Sequence, residues 1–527
     1  MSSIHGGHRV ARALATGGIT RIFTLPGASA QAVYDGCLEA KIEVIDLRHA
    51  RSATHAADAH ARVTGATGVV VVGGGSAVLD VAAALATAQQ AGVPLLCLSG
   101  GPPATLRGRG AAQEVDAATV LGPVTKATLV ARDPTRLELD VAHALAVARA
   151  GPAGPVFLDL PLDLLLSESD PRPVSAPAAD FRPAPEARAL DEVVARLGRA
   201  ERPLLLAGSE LRFAADPSVV RRFADQTGLP VLLNGLARGA LPRAHPCLVV
   251  RARPRALAES DLVLVAGTPL DFRVDYGDAP TWSERGALIQ VSADPAPRAR
   301  GRAEDLRIHA DPGAFLELLR GRMDRRSPGA WGEALRAEET APAPPRAGHA
   351  ELGRAVAAAI RGRLRSGDIV VGDGGSFVGT VARELALEWP ELWIDAGPLG
   401  TPGIGPAFAL AAALARPGAR VFLVTGDGAL GMHLGEWEAQ LRHGARIVTV
   451  VGTDATRAQL ARAGASAFGP ERAVATRLTR VPHDRVAEAM GLRGHRVDDV
   501  ADLDAALDAA LESPGGACVD VSLPVAP

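Results

Sequence analysis

The sequence predicts an α/β protein built from three doubly wound, parallel-sheet domains, and three observations predict it. Short apolar runs alternate with alanine-rich amphipathic stretches from end to end, the pattern of strands and covering helices in a parallel sheet. Two proline-rich segments interrupt that alternation. The length, 527 residues, exceeds one ordinary domain and suits three.

In the first block, "RIFTLPG", "IEVIDL", "TGVVVVGGG", "PLLCLSG" and "PVFLDLP" read as strands, with helical stretches such as residues 51–63 between them. The segment "SESDPRPVSAPAADFRPAPEA" (167–187) then reads as a linker. The middle block supplies "RPLLLAG", "LPVLLNG", "SDLVLVAG" and "ALIQVSADP" as strands. A second breaker, "EETAPAPPRAGHAE" (338–351), precedes a third block with strands in "GDIVVGDGGS", "RVFLVTGDG", "RIVTVVGTD" and "ACVDVSLP". The domains are placed at residues 1–168, 188–325 and 350–527, and the likeness of the first and third blocks is topological only.

Composition narrows the function. Hydrophobic residues make up 47%, ample for large cores, and 56 basic residues balance 59 acidic ones. No clustered charge points to nucleic acid or a membrane surface. Four cysteines lie far apart with no CxxC pair, which suits buried thiols in a reducing cytoplasm. The first residues lack the apolar core of a signal peptide, and no uninterrupted apolar span is long enough to cross a bilayer. The expectation is a cytoplasmic protein acting on a small molecule.

Chemistry gathers in the third block. "VFLVTGDGALGM" (421–432) runs as a buried strand and stops on Asp427 between two glycines. Such a strand end, opening toward a helix, is where open α/β sheets place ligands. Asp454 in "VVGTDAT" follows a second β-like run 27 residues later, so both carboxylates can meet at one sheet edge. Two carboxylates, a backbone carbonyl and diphosphate oxygens would complete a Mg²⁺ shell. A loop-capping role for Asp454 is the plain alternative.

"GDG" with a polar pair 26 to 27 residues on resembles the thiamine-diphosphate motif. "LPGAS", "RHARSATHAADAHARVTG" (48–65) and "AAQEVDAATVLGPVTKA" (111–127) resemble the pyrimidine-binding domain of that family. "RPLLLAG", "SDLVLVAGTPLDFRVDYG" and "IQVSADP" resemble its central domain. "DAGPLGTPGIGPAFALAAALA" (395–415) resembles its diphosphate-binding domain. The chain is therefore similar to the acetolactate synthase, oxalyl-CoA decarboxylase and 2-hydroxyacyl-CoA lyase group.

That resemblance implies thiamine diphosphate and Mg²⁺ as cofactors. It implies at least a homodimer, commonly a tetramer, with each site shared between the first domain of one subunit and the third of another. It assigns Asp427, Asp454 and the Thr456 carbonyl to the metal, and Gly375, Ser376, Gly428 and Ala429 to the diphosphate. Gln113 would line the reaction centre, bordered by Pro26, Gly27 and Ala28, and the Gly400 carbonyl would take the cofactor's amino group. FAD in the central domain is admitted by likeness to acetolactate synthase, but no local motif demands it.

Four features depart from the family pattern. The glutamate that normally hydrogen-bonds the pyrimidine ring falls at Ala50, in a register fixed by Arg48, His49, Arg62 and Gly65. The bulky residue whose N–H also binds that ring is Pro402, which has no N–H to give. The usual Asn-Asn pair is Thr453-Asp454, and "GGGSA" (73–77) replaces a Gly-Pro-Gly pattern. Glu114 should point away from Gln113's side if that segment is extended, and His49, His55 and Asp58 lie near Ala50 without occupying its place. Glyoxylate carboligase resembles this chain in having an apolar residue there. The leading expectation is a thiamine-diphosphate- and Mg²⁺-dependent C–C lyase or carboligase for a 2-oxo acid or 2-hydroxyacyl substrate. The alternative is a degenerate or repurposed homologue that binds another anionic ligand or serves as a structural partner.

Overall fold

A computed structural model of the chain describes residues 4–169, 182–295, 301–340, 349–385, 387 and 392–524. Three parallel sheets carry the fold. The first has six strands, in spatial order Glu43–Asp46, Arg21–Leu25, Gly68–Gly73, Leu95–Gly101, Pro155–Pro161 and Ala127–Val130. The central sheet has five, in the order Val231–Leu233, Pro203–Ala207, Leu262–Ala266, Ala287–Ser292 and Leu306–His309. The third runs Leu392–Asp395, Ile369–Asp373, Val421–Gly426, Ile447–Thr453, Ala517–Ser522 and Arg493–Val497. With the strands of each domain counted along the chain, the first and third sheets share one order, 2-1-3-4-6-5. The topological likeness of the two blocks is thus a shared winding.

Four strands of the three parallel sheets have no counterpart in the sequence reading: Ala127–Val130, Leu306–His309, Leu392–Asp395 and Arg493–Val497. Each lies at the edge of its sheet. An edge strand buries only part of its surface, so it lacks the continuous apolar run that marks a central strand. The interiors of both proline-rich segments, 170–181 and 341–348, lie outside the described residues. Their flanks are more ordered than a linker reading implies: Glu168–Ser169 pairs antiparallel with Ile4–His5, and Glu338 and Glu339 belong to the helix Ala330–Thr340. No helix among the described residues is long and apolar enough to cross a membrane. All four cysteines are buried and unbridged.

One helix pair joins the first domain to the third. The helix Ala50–Thr64 starts where His49 Nδ1 accepts the Arg51 N–H at 3.2 Å, and ends at Gly65 in the left-handed region. Alanine fills half of its buried positions. It packs along the helix Gly405–Ala415, which is apolar on nearly every face and correspondingly buried. A single apolar core therefore runs from Val70 and Leu95 of the first sheet, through both helices, to Ile369 and Leu423 of the third. Arg62 crosses the joint. It is fully buried, pairs with Asp58 at 2.7 Å, donates to the Asp395 carbonyl at 2.7 Å and stacks 5.1 Å from the Phe408 ring centre.

A buried guanidinium stripped of its carboxylate is an uncompensated charge. Asp58→Ala is therefore expected to destabilise the protein by about 3–5 kcal/mol, read as a fall in urea midpoint. A loss near zero would mean that the backbone carbonyl and the Phe408 face satisfy Arg62 alone.

Candidate cofactor site

The third sheet places its chemistry at its carboxyl edge. Strands Ile369–Asp373 and Val421–Gly426 are neighbours, and the chain leaves them for different parts of the fold, which makes this the switch point where such sheets bind ligands. The first strand turns at Gly374, whose φ of +116° requires glycine, into the helix Ser376–Leu385. The second turns through extended Gly426 into a helix that opens on Asp427. Backbone N–H groups of both helix starts thus face the same edge.

Asp427 and Asp454 are brought together by strand pairing. Gly426 lies opposite Gly452 on the adjacent strand, and each aspartate follows within two residues. Both are buried. Asp427 accepts the N–H of Gly428 at 2.8 Å and that of Ala455 at 2.9 Å, while Asp454 accepts the Thr456 N–H at 2.8 Å. Burial, reinforced by the charge of Asp454, pushes the Asp427 carboxyl up to about 6 against the pull of its two N–H donors. A cation between the carboxylates would relieve that repulsion.

The loop that carries Thr456 is held firmly. Ala455 adopts a φ of +54°, its carbonyl accepts the Leu478 N–H at 2.8 Å, and Arg457 N–H donates to the Thr476 carbonyl at 2.7 Å. Thr456 Oγ1, between them, is buried with no hydrogen-bond partner among the described residues. Two coupled carboxylates, an unpaired hydroxyl and two helix starts fit a divalent cation with an attached diphosphate.

These residues open onto a cleft of about 870 Å³ between the third and central domains. Gly375, Ser376, Gly400, Pro402, Asp427, Gly428, Ala429, Asp454 and Thr456 all line it. Pro402 sits on a loop fixed from below: Asp373 accepts the N–H groups of Gly403 at 2.9 Å and Gly405 at 2.8 Å. Burial still pushes Asp373 up to about 6. Thr401 ties the same loop to the first domain through Thr87 at 2.8 Å.

Pro26, Gly27, Ala28, Ala50 and Gln113 do not line this cleft. They belong to the carboxyl edge of the first sheet. A side-chain carbon at Gly27 would lie 2.7 Å from Gly73 Cα, and Ser29 Oγ accepts the Gly74 N–H at 3.2 Å. Gln113, at a φ of +59°, packs on Gly75. Glu114 is turned away and spent locally, accepting N–H groups of Gly108, Gly110 and Ala111, which hold its carboxyl below the usual range. Ala50 is fully buried at its helix start. His55, one turn on, packs edge-on against Phe408, and burial drives its ring to the neutral form.

The sequence reading missed Arg457, Gln459 and Arg462. The first two line the cleft, and Arg462 donates to Ser376 Oγ. Gln459 and Arg462 lie three apart on the helix Ala458–Phe468 and Arg457 caps it, but nothing in sequence says that this helix folds back over the first strand's turn. The Arg238 guanidinium, 2.6 Å from Asp395 across the central-domain wall, was equally invisible.

Comparison with known proteins agrees with this layout. Residues 4–120 match the model of the thiamine pyrophosphate enzyme N-terminal TPP binding domain, residues 190–319 its central domain, and residues 373–521 its C-terminal TPP binding domain. A probable acetolactate synthase of Mycobacterium bovis is 33% identical over 535 residues, covering 98% of this chain and 96% of its own. The 2-hydroxyacyl-CoA lyase 2 of Homo sapiens is 32% identical over 546 residues, covering 93% and 84%. That of Danio rerio is 30% identical over 541 residues, covering 94% and 86%. The chain belongs to the thiamine pyrophosphate enzyme family.

Because Asp427 titrates near 6 in the fold and near 3.8 when free, its contribution to stability is complete below pH 3.8 and is lost as pH rises through about 6. Asp454→Asn removes the neighbouring charge. In metal-free buffer this variant is expected to gain stability at pH 7 and to shift the loss to lower pH, seen in urea midpoints measured across pH 4 to 8. An unchanged profile would remove Asp454 as the source of the repulsion.

Proposed function

We propose that this chain is a thiamine-diphosphate- and Mg²⁺-dependent lyase or carboligase that makes or breaks a C–C bond in a 2-oxo acid or 2-hydroxyacyl compound. The observation that carries the reading is the pair of abutting buried carboxylates between two helix starts at the switch point of the third sheet. The names of the full-length relatives support the reaction class, and their enzymatic character favours this reading over a repurposed binding protein. Bound here, thiamine diphosphate would supply the carbanion-stabilising chemistry.

The residues divide the work. Asp427, Asp454 and the Thr456 carbonyl hold the metal through hard oxygen atoms. The N–H groups of Gly375, Gly428 and Ala429 and the Ser376 hydroxyl receive diphosphate oxygens. The Gly400 carbonyl accepts from the cofactor's amino group, and Pro402 acts as a small wedge without an N–H to offer. A buried acceptor left unpaired at Pro402 costs about 1–3 kcal/mol. Ala50 can neither hold nor move a proton, so this chain binds chiefly through metal and diphosphate and activates slowly.

Separation of Gln113 and residues 26–28 from the cleft supports a site completed by the first domain of a second copy. Phe468 and Val474, exposed by 74% and 79% near the Asp454 loop, offer apolar surface for such a contact. The unbridged buried thiols support a reducing compartment, the cytoplasm.

Asp427→Ala is expected to abolish Mg²⁺-dependent binding of thiamine diphosphate in calorimetry while leaving the fold intact; equal affinity would sink the metal assignment. Ala50→Glu is expected to speed exchange of the cofactor's C2 proton, followed by NMR in deuterated water. Fast exchange in the unsubstituted protein would show that another group does the activating. Sedimentation should find a dimer or tetramer, and a stable monomer at micromolar concentration would refute the shared site.

A further inference from the structure

The N-terminal helix Gly6–Thr16 crosses the helix Gln31–Glu39 at unusually close range, and glycine makes this possible. A side-chain carbon at Gly7 would lie 1.9 Å from the Ala32 carbonyl oxygen, and one at Gly36 would lie 2.4 Å from the Gly7 carbonyl oxygen. Neither position can carry a larger residue without separating the helices. The crossing sets His5, the cap of the first helix, and His8, three residues on, against Asp35 and Glu39, four apart on the second.

Three of these side chains converge, and the fourth, Glu39, adjoins them through His8. His5 Nε2 lies 2.9 Å from Asp35 Oδ2, His8 Nε2 lies 3.3 Å from the same oxygen, and His8 Nε2 lies 2.7 Å from Glu39 Oε2. Donor atoms of His5, His8 and Asp35 all fall within 4.8 Å of one another, the one group of at least three such residues among those described. Tetrahedral zinc, with bonds of about 2.0–2.1 Å, sets neighbouring donors about 3.3 Å apart. The contacts His5–Asp35, His8–Asp35 and His8–Glu39, at 2.9, 3.3 and 2.7 Å, lie near that spacing, and the donors of His5, His8 and Asp35 need only close in from within 4.8 Å to receive the ion.

We propose that His5, His8 and Asp35, with Glu39 beside them, form a second metal site, selective for zinc-class divalent cations and distinct from the cleft. Two imidazoles with one or two carboxylates favour Zn²⁺, Co²⁺, Ni²⁺ or Cu²⁺ over the hard, all-oxygen Mg²⁺. Its role is structural. The ion clamps the first helix onto the second, next to the short ladder of Ile4–His5 with Glu168–Ser169. One feature limits affinity. Coordination through His8 Nε2 leaves the ring proton on Nδ1, which is buried without an acceptor among the described residues. An outer partner of that kind is typically worth about 10–100-fold in metal affinity.

The full-length protein, stripped with chelator and then saturated with Mg²⁺ to fill the cleft, is titrated with Zn²⁺ by calorimetry and with Co²⁺ by visible absorption. One zinc per chain is expected, with a tetrahedral cobalt spectrum and a higher Tm in zinc. His8→Ala and Asp35→Ala should each weaken zinc binding at least about tenfold while leaving Mg²⁺ binding unchanged. His5 is left in place because its ring accepts the His8 N–H at the start of the first helix. Should either variant fail to fold, Glu39→Gln, on an exposed side chain, serves instead and should weaken zinc binding in the same sense. Zinc affinity unaltered by these substitutions, or no zinc uptake by the unsubstituted chain, would overturn the proposal.

Discussion

The close packing of two alanine-rich helices, Ala50–Thr64 on Gly405–Ala415, is the contact on which the rest of the molecule depends. Small side chains let the helices approach until the first and third sheets share one core. The same contact fixes the start of the loop that carries Gly400 and Pro402, because Arg62 and Thr87 of the first domain hold Asp395 and Thr401 of the third. It also buries Ala50 at a helix start. Packing and site geometry are thus one problem here: bulk added where the two helices touch would displace the loop that lines the cleft.

The fold was largely legible because buried parallel strands must be apolar on both faces, and such runs stand out in any sequence. The four strands that escaped notice are edges, where half of each strand meets solvent or loop, and "RGHRV" or "LRIH" carries no apolar stripe to find. The meeting of Asp427 and Asp454 was legible for a related reason. Asp427 and Asp454 each end a clear strand, and two strands adjacent in a parallel sheet must bring their ends together. Arg457, Gln459 and Arg462 follow no strand end. Their place depends on a helix folding back across a neighbouring turn, which is a tertiary event without a local signature.

The two halves of the site differ in how they resist change. On the proposed reading, the diphosphate half would rest on backbone N–H groups and on carboxylates held by further backbone donors, so most of its recognition would be independent of side-chain identity. The pyrimidine half would rely on single side chains and one N–H, and Ala50 and Pro402 offer neither. Loss on that side leaves the fold untouched, since Ala50 packs well in its core and Pro402 sits in a loop anchored by Asp373.

The buried cysteines have a practical consequence. Cys37 and Cys97 lie in the first domain, Cys247 in the central one and Cys518 in the third, all enclosed. Burial pushes the thiols of Cys37 and Cys97 up to about 12 and that of Cys247 to about 11, and raises Cys518 well above its usual value. A thiol-specific reagent needs both access and thiolate, so none of these groups reacts until its own domain opens. Each domain therefore carries a native clock for its local unfolding, and mass spectrometry of pulse-alkylated peptides would time the three domains separately in a single sample without an engineered probe.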